Sequence, residues 1–196
     1  MYHGAVKATA AKPATYADLL AVPDHLIAQI VDGELIASPR PAAEHSRASS
    51  VLGSDLGGPF DRGRGGPGGW WILFEPELHL GMDILVPDLA GWRRSRVPHL
   101  KPGPFLEIAP DWVCEVLSPS TRGVDRVRKM PIYLREKVTH LWFIDPQAFT
   151  LEVFRADLTQ GHWVLWNTFA GDDKVRSEPF EAVELELSAL WLKMTG

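Results

Sequence analysis

The chain has 196 residues, a formal net charge of −5, 45% hydrophobic and 23% charged residues. That composition is ordinary for a soluble globular protein with one sizeable core, and the negative charge argues against a protein that coats nucleic acid without specificity. No stretch reaches the roughly 20 apolar residues of a membrane helix. Met1 to Ala14 lacks the apolar region of a signal peptide, and Cys114, the single cysteine, can form neither an intrachain disulfide nor a thiolate zinc cage. The expected compartment is the cytoplasm.

Residues 1–14 read as a flexible tail and 15–196 as a single domain. Thr15 caps a short helix through about Leu20. Residues 27–37 form a hairpin, because Asp32-Gly33 supplies the positive φ angles of a tight turn. Residues 42–56 favour a helix. Residues 57–69, rich in Gly, Pro and Arg with Phe60 as the lone apolar anchor, read as a mobile loop. Trp70 to Phe74 and Glu77 to Gly81 are strands, and the second leads into an apolar run, Ile84 to Trp92, that carries Pro87-Asp88.

Pro98, Pro102, Pro104 and Pro110 keep residues 93–110 out of a central sheet. Asp111 to Leu117 is the next strand, stopped by residues 118–123. The helix after it either opens near Arg128 to Met130 or kinks there, because Pro131 is comfortable only in a first helical turn. His140 to Asp145 is a buried strand, and the strand–helix–strand order implies a parallel pair. Thr150 to Arg155 and His162 to Trp166 are antiparallel additions, and a last strand begins at Phe180. The class is α/β (α+β): a central mixed β-sheet flanked by helices, with antiparallel additions at both ends.

Two carboxylates stand out. Asp88 and Glu115 each end an apolar strand, where an acid needs a partner. A basic side chain is one partner; a hard divalent cation shared between them is the other. Cys114 precedes Glu115, so it faces the opposite side of the sheet and is expected to be buried and inert. Charge is uneven. Residues 93–101 hold Arg93, Arg94, Arg96 and Lys101 without an acid, 122–137 are mostly basic, and 172–186 are mostly acidic. These runs are either solvated faces or a basic surface beside the two carboxylates.

The order Asp32-Gly33-Glu34-Leu35, Ser38-Pro39, His45, Pro87-Asp88, then Glu115-Val116-Leu117-Ser118-Pro119-Ser120-Thr121, then Asp125, Lys129 and Tyr133, then Leu141 to Pro146, resembles the Uma-type family of putative restriction endonucleases. That family lies in the PD-(D/E)XK nuclease superfamily. The resemblance implies a restriction-endonuclease-like fold and a metal-dependent DNA endonuclease. It makes Asp88 and Glu115 the two motif acids and Mg²⁺ (or Mn²⁺) the cofactor, with Glu34 as a further ligand. The motif lysine is expected two residues after the second acid, where this chain has Leu117. Lys129 is the substitute, reaching over from the following helix; the other reading of Lys129 is a surface ion pair with Asp125 at i,i+4 spacing. Gln29 stands where the family often carries Glu.

His45 is either a support for this site or a surface histidine, and Tyr133, four residues after Lys129, is placed to brace it. Arg62, Arg64, Arg93, Arg94, Arg96, Arg122 and Arg126 are the candidates for contacting a DNA backbone. Trp163, Trp166, Phe169, Phe180 and Trp191 crowd the last third of the chain, where they close a core or bury in a second copy. A homodimer is expected, with no membrane partner. The rival expectation is a catalytically inactive binding protein that kept the nuclease fold.

Overall fold

The structure, a computed structural model, describes residues 12–192. Residues 1–11 of the tail expected at the N-terminus lie outside the described residues. Its last residue, Ala14, donates its backbone N–H to Gly33 O at 2.8 Å. Thr15 then caps α1 (Tyr16–Leu20) through a reciprocal bond with Asp18.

Strands β1 (Leu26–Val31) and β2 (Glu34–Pro39) pair across the Asp32-Gly33 turn, where both residues have positive φ (52° and 77°). Helix α2 (Ala43–Leu56) follows and widens into a π-helical turn, Gly57–Asp61. The expected loop is therefore helical in its first third. Phe60 anchors this turn as expected, 2% exposed and 4.7 Å from the Phe180 ring.

Next come β3 (Trp70–Phe74), β4 (Leu78–Leu80), β5 (Asp83–Leu85) and β6 (Leu89–Arg93). The apolar run 84–92 is thus not one strand. Its first part pairs with β1 and β4 in a four-stranded sheet ordered β2-β1-β5-β4, and its second part joins a different sheet. Val86-Pro87-Asp88 is the crossing between them, and Pro87, which cannot donate to a ladder, suits that place.

The central sheet adds β7 (Trp112–Val116), β8 (His140–Asp145), β9 (Thr150–Asp157) and β10 (His162–Ala170), in the order β10-β9-β8-β7-β6-β3. It is mixed: β7 and β8 are parallel and the other neighbours antiparallel. The crossover between β7 and β8 carries α3 (Arg122–Val124), a π-helical turn (Asp125–Lys129) and α4 (Met130–Arg135). Their junction residues are all right-handed helical, so the helix is continuous. Pro131 sits in the first turn of α4, and the widened turn lies immediately before it.

The last part of the chain is less regular than expected. The two-residue strands β11 (Lys174–Val175) and β12 (Leu185–Glu186) pair with each other, and a 3-10 turn spans Leu187–Leu190.

Alternation along β7 divides the core. Trp112, Cys114 and Val116 pack under α2 with Trp142, Phe180 and Trp191. Val113 and Leu117 face Ile132 and Tyr133 of the crossover helix. Cys114 is fully buried, and that burial pushes its thiol pKa up. Phe180 and Trp191 close the core, whereas Trp166 stays 49% exposed on the edge strand β10.

Candidate active site

Leu89 stands opposite Cys114 in the β6–β7 register, so one further step sets Asp88 against Glu115. No regular ladder continues there. Instead Val116 N–H donates to Asp88 Oδ2 at 2.6 Å, which ties the first carboxylate to the peptide after the second. Glu115 is 2% exposed and follows Val113 to the face covered by the crossover helix. Its Oε1 accepts the Tyr133 hydroxyl at 2.6 Å and faces Lys129 Nζ at 3.2 Å. Lys129 Nζ also lies 2.9 Å from Asp125 Oδ1, with both side chains almost fully buried.

Lys129 is therefore not the surface pair that the i,i+4 spacing offered. It pairs with Asp125 in the interior, and it reaches Glu115 as well. Leu117, the position a motif lysine would occupy, is 3% exposed in the core. An ammonium there would lie among Ile132, Tyr133 and Leu141.

His45, from the first turn of α2, brings Nε2 to 3.2 Å from Asp88 Oδ1. Burial is the largest single influence and works against its charge, but the Asp88 hydrogen bond and the charges of Asp88, Asp125 and Glu75 together raise its pKa. Gln29 on β1 is buried and uses its Oε1 to accept Val86 N–H at 2.9 Å, so it braces the crossing that carries Asp88.

Burial pushes the Glu115 carboxyl up to about 8, with Lys129 opposing and the charges of Asp125 and Asp88 adding to the rise. Lys129 is pulled the other way: burial disfavours its charge, yet Glu115 and Asp125 hold its pKa above the usual lysine value. The lysine charge is the firmer of the two, because two carboxylates hold one ammonium. Three carboxylates, Asp88, Glu115 and Asp125, thus share one full positive charge and one histidine.

That donor set fits a hard divalent cation. It offers carboxylate oxygens and uncompensated negative charge, and Mg²⁺ needs only one or two carboxylates because it keeps several waters. Among the described residues no three His, Cys, Asp or Glu side chains converge as a ready metal cage. Such a cage is the mark of a structural zinc site, not of Mg²⁺.

These groups line one pocket of about 240 Å³, together with Ser118, Ser120, Thr121, Arg40 and the apolar side chains of Ile27, Pro39, Pro41, Val86 and Pro119. Ser118 Oγ lies 3.0 Å from Ser120 Oγ and 2.9 Å from Thr121 Oγ1. Arg40 is exposed and spends one nitrogen on Asp24 O at 3.1 Å.

Glu34 is not brought to this place. It lies at the turn end of β2, whereas Ser38 and Pro39, which line the pocket, end that strand about 13 Å further on. Its side chain is 68% exposed and paired with Arg128 at 2.8 Å. The arginines expected to contact DNA are mostly engaged elsewhere. Arg94 pairs with Asp61, Arg96 with Asp111, Arg122 with Asp145 and Arg126 with Glu152. Arg93 stacks on Trp70. Among the described residues Arg62 and Arg64 are exposed without an ion pair.

Asp125 and Arg40 were missed as site residues. The i,i+4 spacing to Lys129 was the available signal for Asp125, but it reads equally as a surface pair. Arg40, alone between two prolines, offered none.

The mixed sheet thus brings two acids from neighbouring strands together with a lysine delivered by the crossover helix. The chain belongs to the Uma2 family, described as "Putative restriction endonuclease", whose pattern matches residues 13–190. The fold matches that of a solved structure from Anabaena variabilis ATCC 29413, titled as a putative nuclease belonging to DUF820. The match has a TM-score of 0.72 and 24% identity, over 91% of this chain and 97% of that one. No curated protein matches the sequence. No helix among the described residues is long and apolar enough to cross a membrane.

Proposed function

We propose that this chain is a Mg²⁺- or Mn²⁺-dependent DNA endonuclease that hydrolyses phosphodiester bonds at the Asp88–Glu115 pocket. The observation that carries this reading is the convergence of Asp88, Glu115 and Lys129 on one pocket from a strand crossing, a strand and a helix. Asp88 and Glu115 are the residues that would hold the metal; when bound, it would activate water and offset charge on the attacked phosphate.

The chain's own groups do the rest. The Val116 N–H and His45 fix the orientation of Asp88. Tyr133 fixes Glu115. Lys129, kept cationic by Glu115 and Asp125, is the charge that stabilises negative charge developing on the phosphate. Arg40 and the Ser118–Thr121 hydroxyls are the donors for oxygens of a neighbouring group.

The test is cleavage of plasmid and of single-stranded DNA with and without Mg²⁺, comparing wild type with Glu115→Gln. Metal-dependent cleavage that the substitution abolishes supports the reading; equal activity of the variant rejects it.

One observation favours the rival reading, an inactive binding protein. Lys129 already occupies the space beside Glu115 at 3.2 Å, so the carboxylate has a counter-charge without metal. Thermal unfolding across a Mg²⁺ titration separates the two. A working site is stabilised by metal in wild type and not in Asp88→Ala. We also propose a homodimer, for which the exposed Leu165 and Trp166 of edge strand β10 are the supporting feature. Light scattering that reports a monomer at micromolar concentration would remove it. A reducing cytoplasm suits the single buried thiol.

A further inference from the structure

We infer that the pocket accepts an unpaired nucleotide, so that the substrate is a single-stranded or frayed segment and not an intact duplex. This rests on the phosphodiesterase reading of the same pocket and names its substrate class. Two independent observations lead to it.

The first is shape. Glu115 and Lys129 are 2% and 3% exposed, so the phosphate must descend to them. The way in is the recess of about 240 Å³ walled by Ile27, Pro39, Pro41 and Pro119. That volume is below the roughly 300–1,000 Å³ of pockets that bury a drug-sized ligand, so it takes in part of one nucleotide and excludes a base pair. A base stacked inside a duplex cannot rest on this apolar wall. A base that is already unpaired can, at no cost in unpairing energy.

The second is charge. A protein that tracks a duplex neutralises many phosphates, and its affinity then falls steeply with salt. Here Arg94, Arg96, Arg122 and Arg126 are neutralised by acids of the same chain. Among the described residues the pocket is lined by two basic side chains besides His45, Arg40 and Lys129, and Lys129 is itself held between Glu115 and Asp125. The pocket is therefore equipped for one or two phosphates and not for a backbone groove.

The experiment measures fluorescence anisotropy of a labelled short single strand and of the duplex of the same sequence. Ca²⁺, which takes the same oxygen ligands, replaces Mg²⁺. The single strand is expected to bind at least about fivefold more tightly, the lower end of a stacking contribution per base. Its log affinity should fall with log salt at a slope no steeper than about −1.4, or about −0.7 for each of two phosphates. Ala42→Trp, an exposed pocket-rim position, should lower single-strand affinity about tenfold with an unchanged melting temperature. Arg40→Ala should make the slope shallower by about 0.7.

The inference is overturned by a duplex that binds as tightly as the single strand, by a slope of about −2 or steeper, which is three phosphates or more, by an Ala42→Trp variant with unchanged single-strand affinity, or by no binding to either. The two readings fail separately. Single-strand binding without metal-dependent cleavage removes the enzyme and keeps the inference. Glu115-dependent cleavage with duplex preferred removes the inference and keeps the enzyme.

Discussion

Replacing Lys129 with Met removes the ammonium and keeps most of the side-chain volume. Two buried carboxylates, Glu115 and Asp125, then lose the cation that sits 3.2 and 2.9 Å away. Breaking one buried ion pair by deleting a partner costs about 3–5 kcal/mol. Here one deletion strips two acids, which favours the upper end, but either can take up a proton, which limits the cost. For a chain of 196 residues, about 3–5 kcal/mol lowers the melting temperature by about 6–20 °C. The loss should be largest above neutral pH and smaller in acid. With raised carboxyl pKa values the folded state binds more protons than the unfolded state, so stability falls as pH rises through that window. Mg²⁺ should restore part of the loss by supplying a cation to the same acids. Calorimetry at pH 5 and pH 8, with and without Mg²⁺, measures all of this. A Lys129→Met variant that melts within about 2 °C of wild type at pH 8, less than about 1 kcal/mol, would refute the claim that this lysine neutralises the site.

Three further outcomes are expected. In the wild type, Glu115 is raised from 4.5 to about 8; the folded state holds an extra proton between those values, so urea unfolding should show stability falling from about pH 5 to pH 8, and a flat profile over that window would refute it. Tyr133→Phe leaves Glu115 Oε1 without its 2.6 Å donor and should cost about 1–3 kcal/mol by the same measurement; a neutral result would mean that the hydroxyl does not fix Glu115. Gly66→Ala places a Cβ 2.9 Å from the backbone of Pro59, so it should loosen residues 62–69 and raise their backbone amide exchange, leaving exchange in β7 unchanged.

The hairpin, α2, the parallel β7–β8 pair and the antiparallel additions were legible because each is written locally: Asp-Gly for the turn, helical and alternating periods, and a helix between two buried strands. The two acids stood out as a pair too, since each is a lone charge within an apolar run. What a linear reading cannot supply is the change of sheet within residues 84–92. Hydrophobicity is continuous across it, and only Pro87 marks the break. The fate of the arginines was also hidden, because Asp61, Asp111, Asp145 and Glu152 come from distant positions that tertiary folding brings alongside. Glu34 shows the opposite hazard: it fits a family pattern, yet hairpin register sends it to the far end of its strand.

The widened turn at Asp125–Lys129 makes the rotational phase of the crossover helix a variable of its own. Each residue of an α-helix advances about 100° around its axis, and a π-bulge is in effect one surplus residue taken up within a turn. Removing Val127, which is 73% exposed and contributes no core contact, would let the turn revert to α-helical winding. It would also rotate Asp125 relative to Lys129 and the helix that follows. The lysine and its acid would then part company without either being altered. In this chain a group that strand alternation would ordinarily place is placed instead by a helical phase, so a single-residue deletion on the surface can uncouple what no single surface substitution would touch.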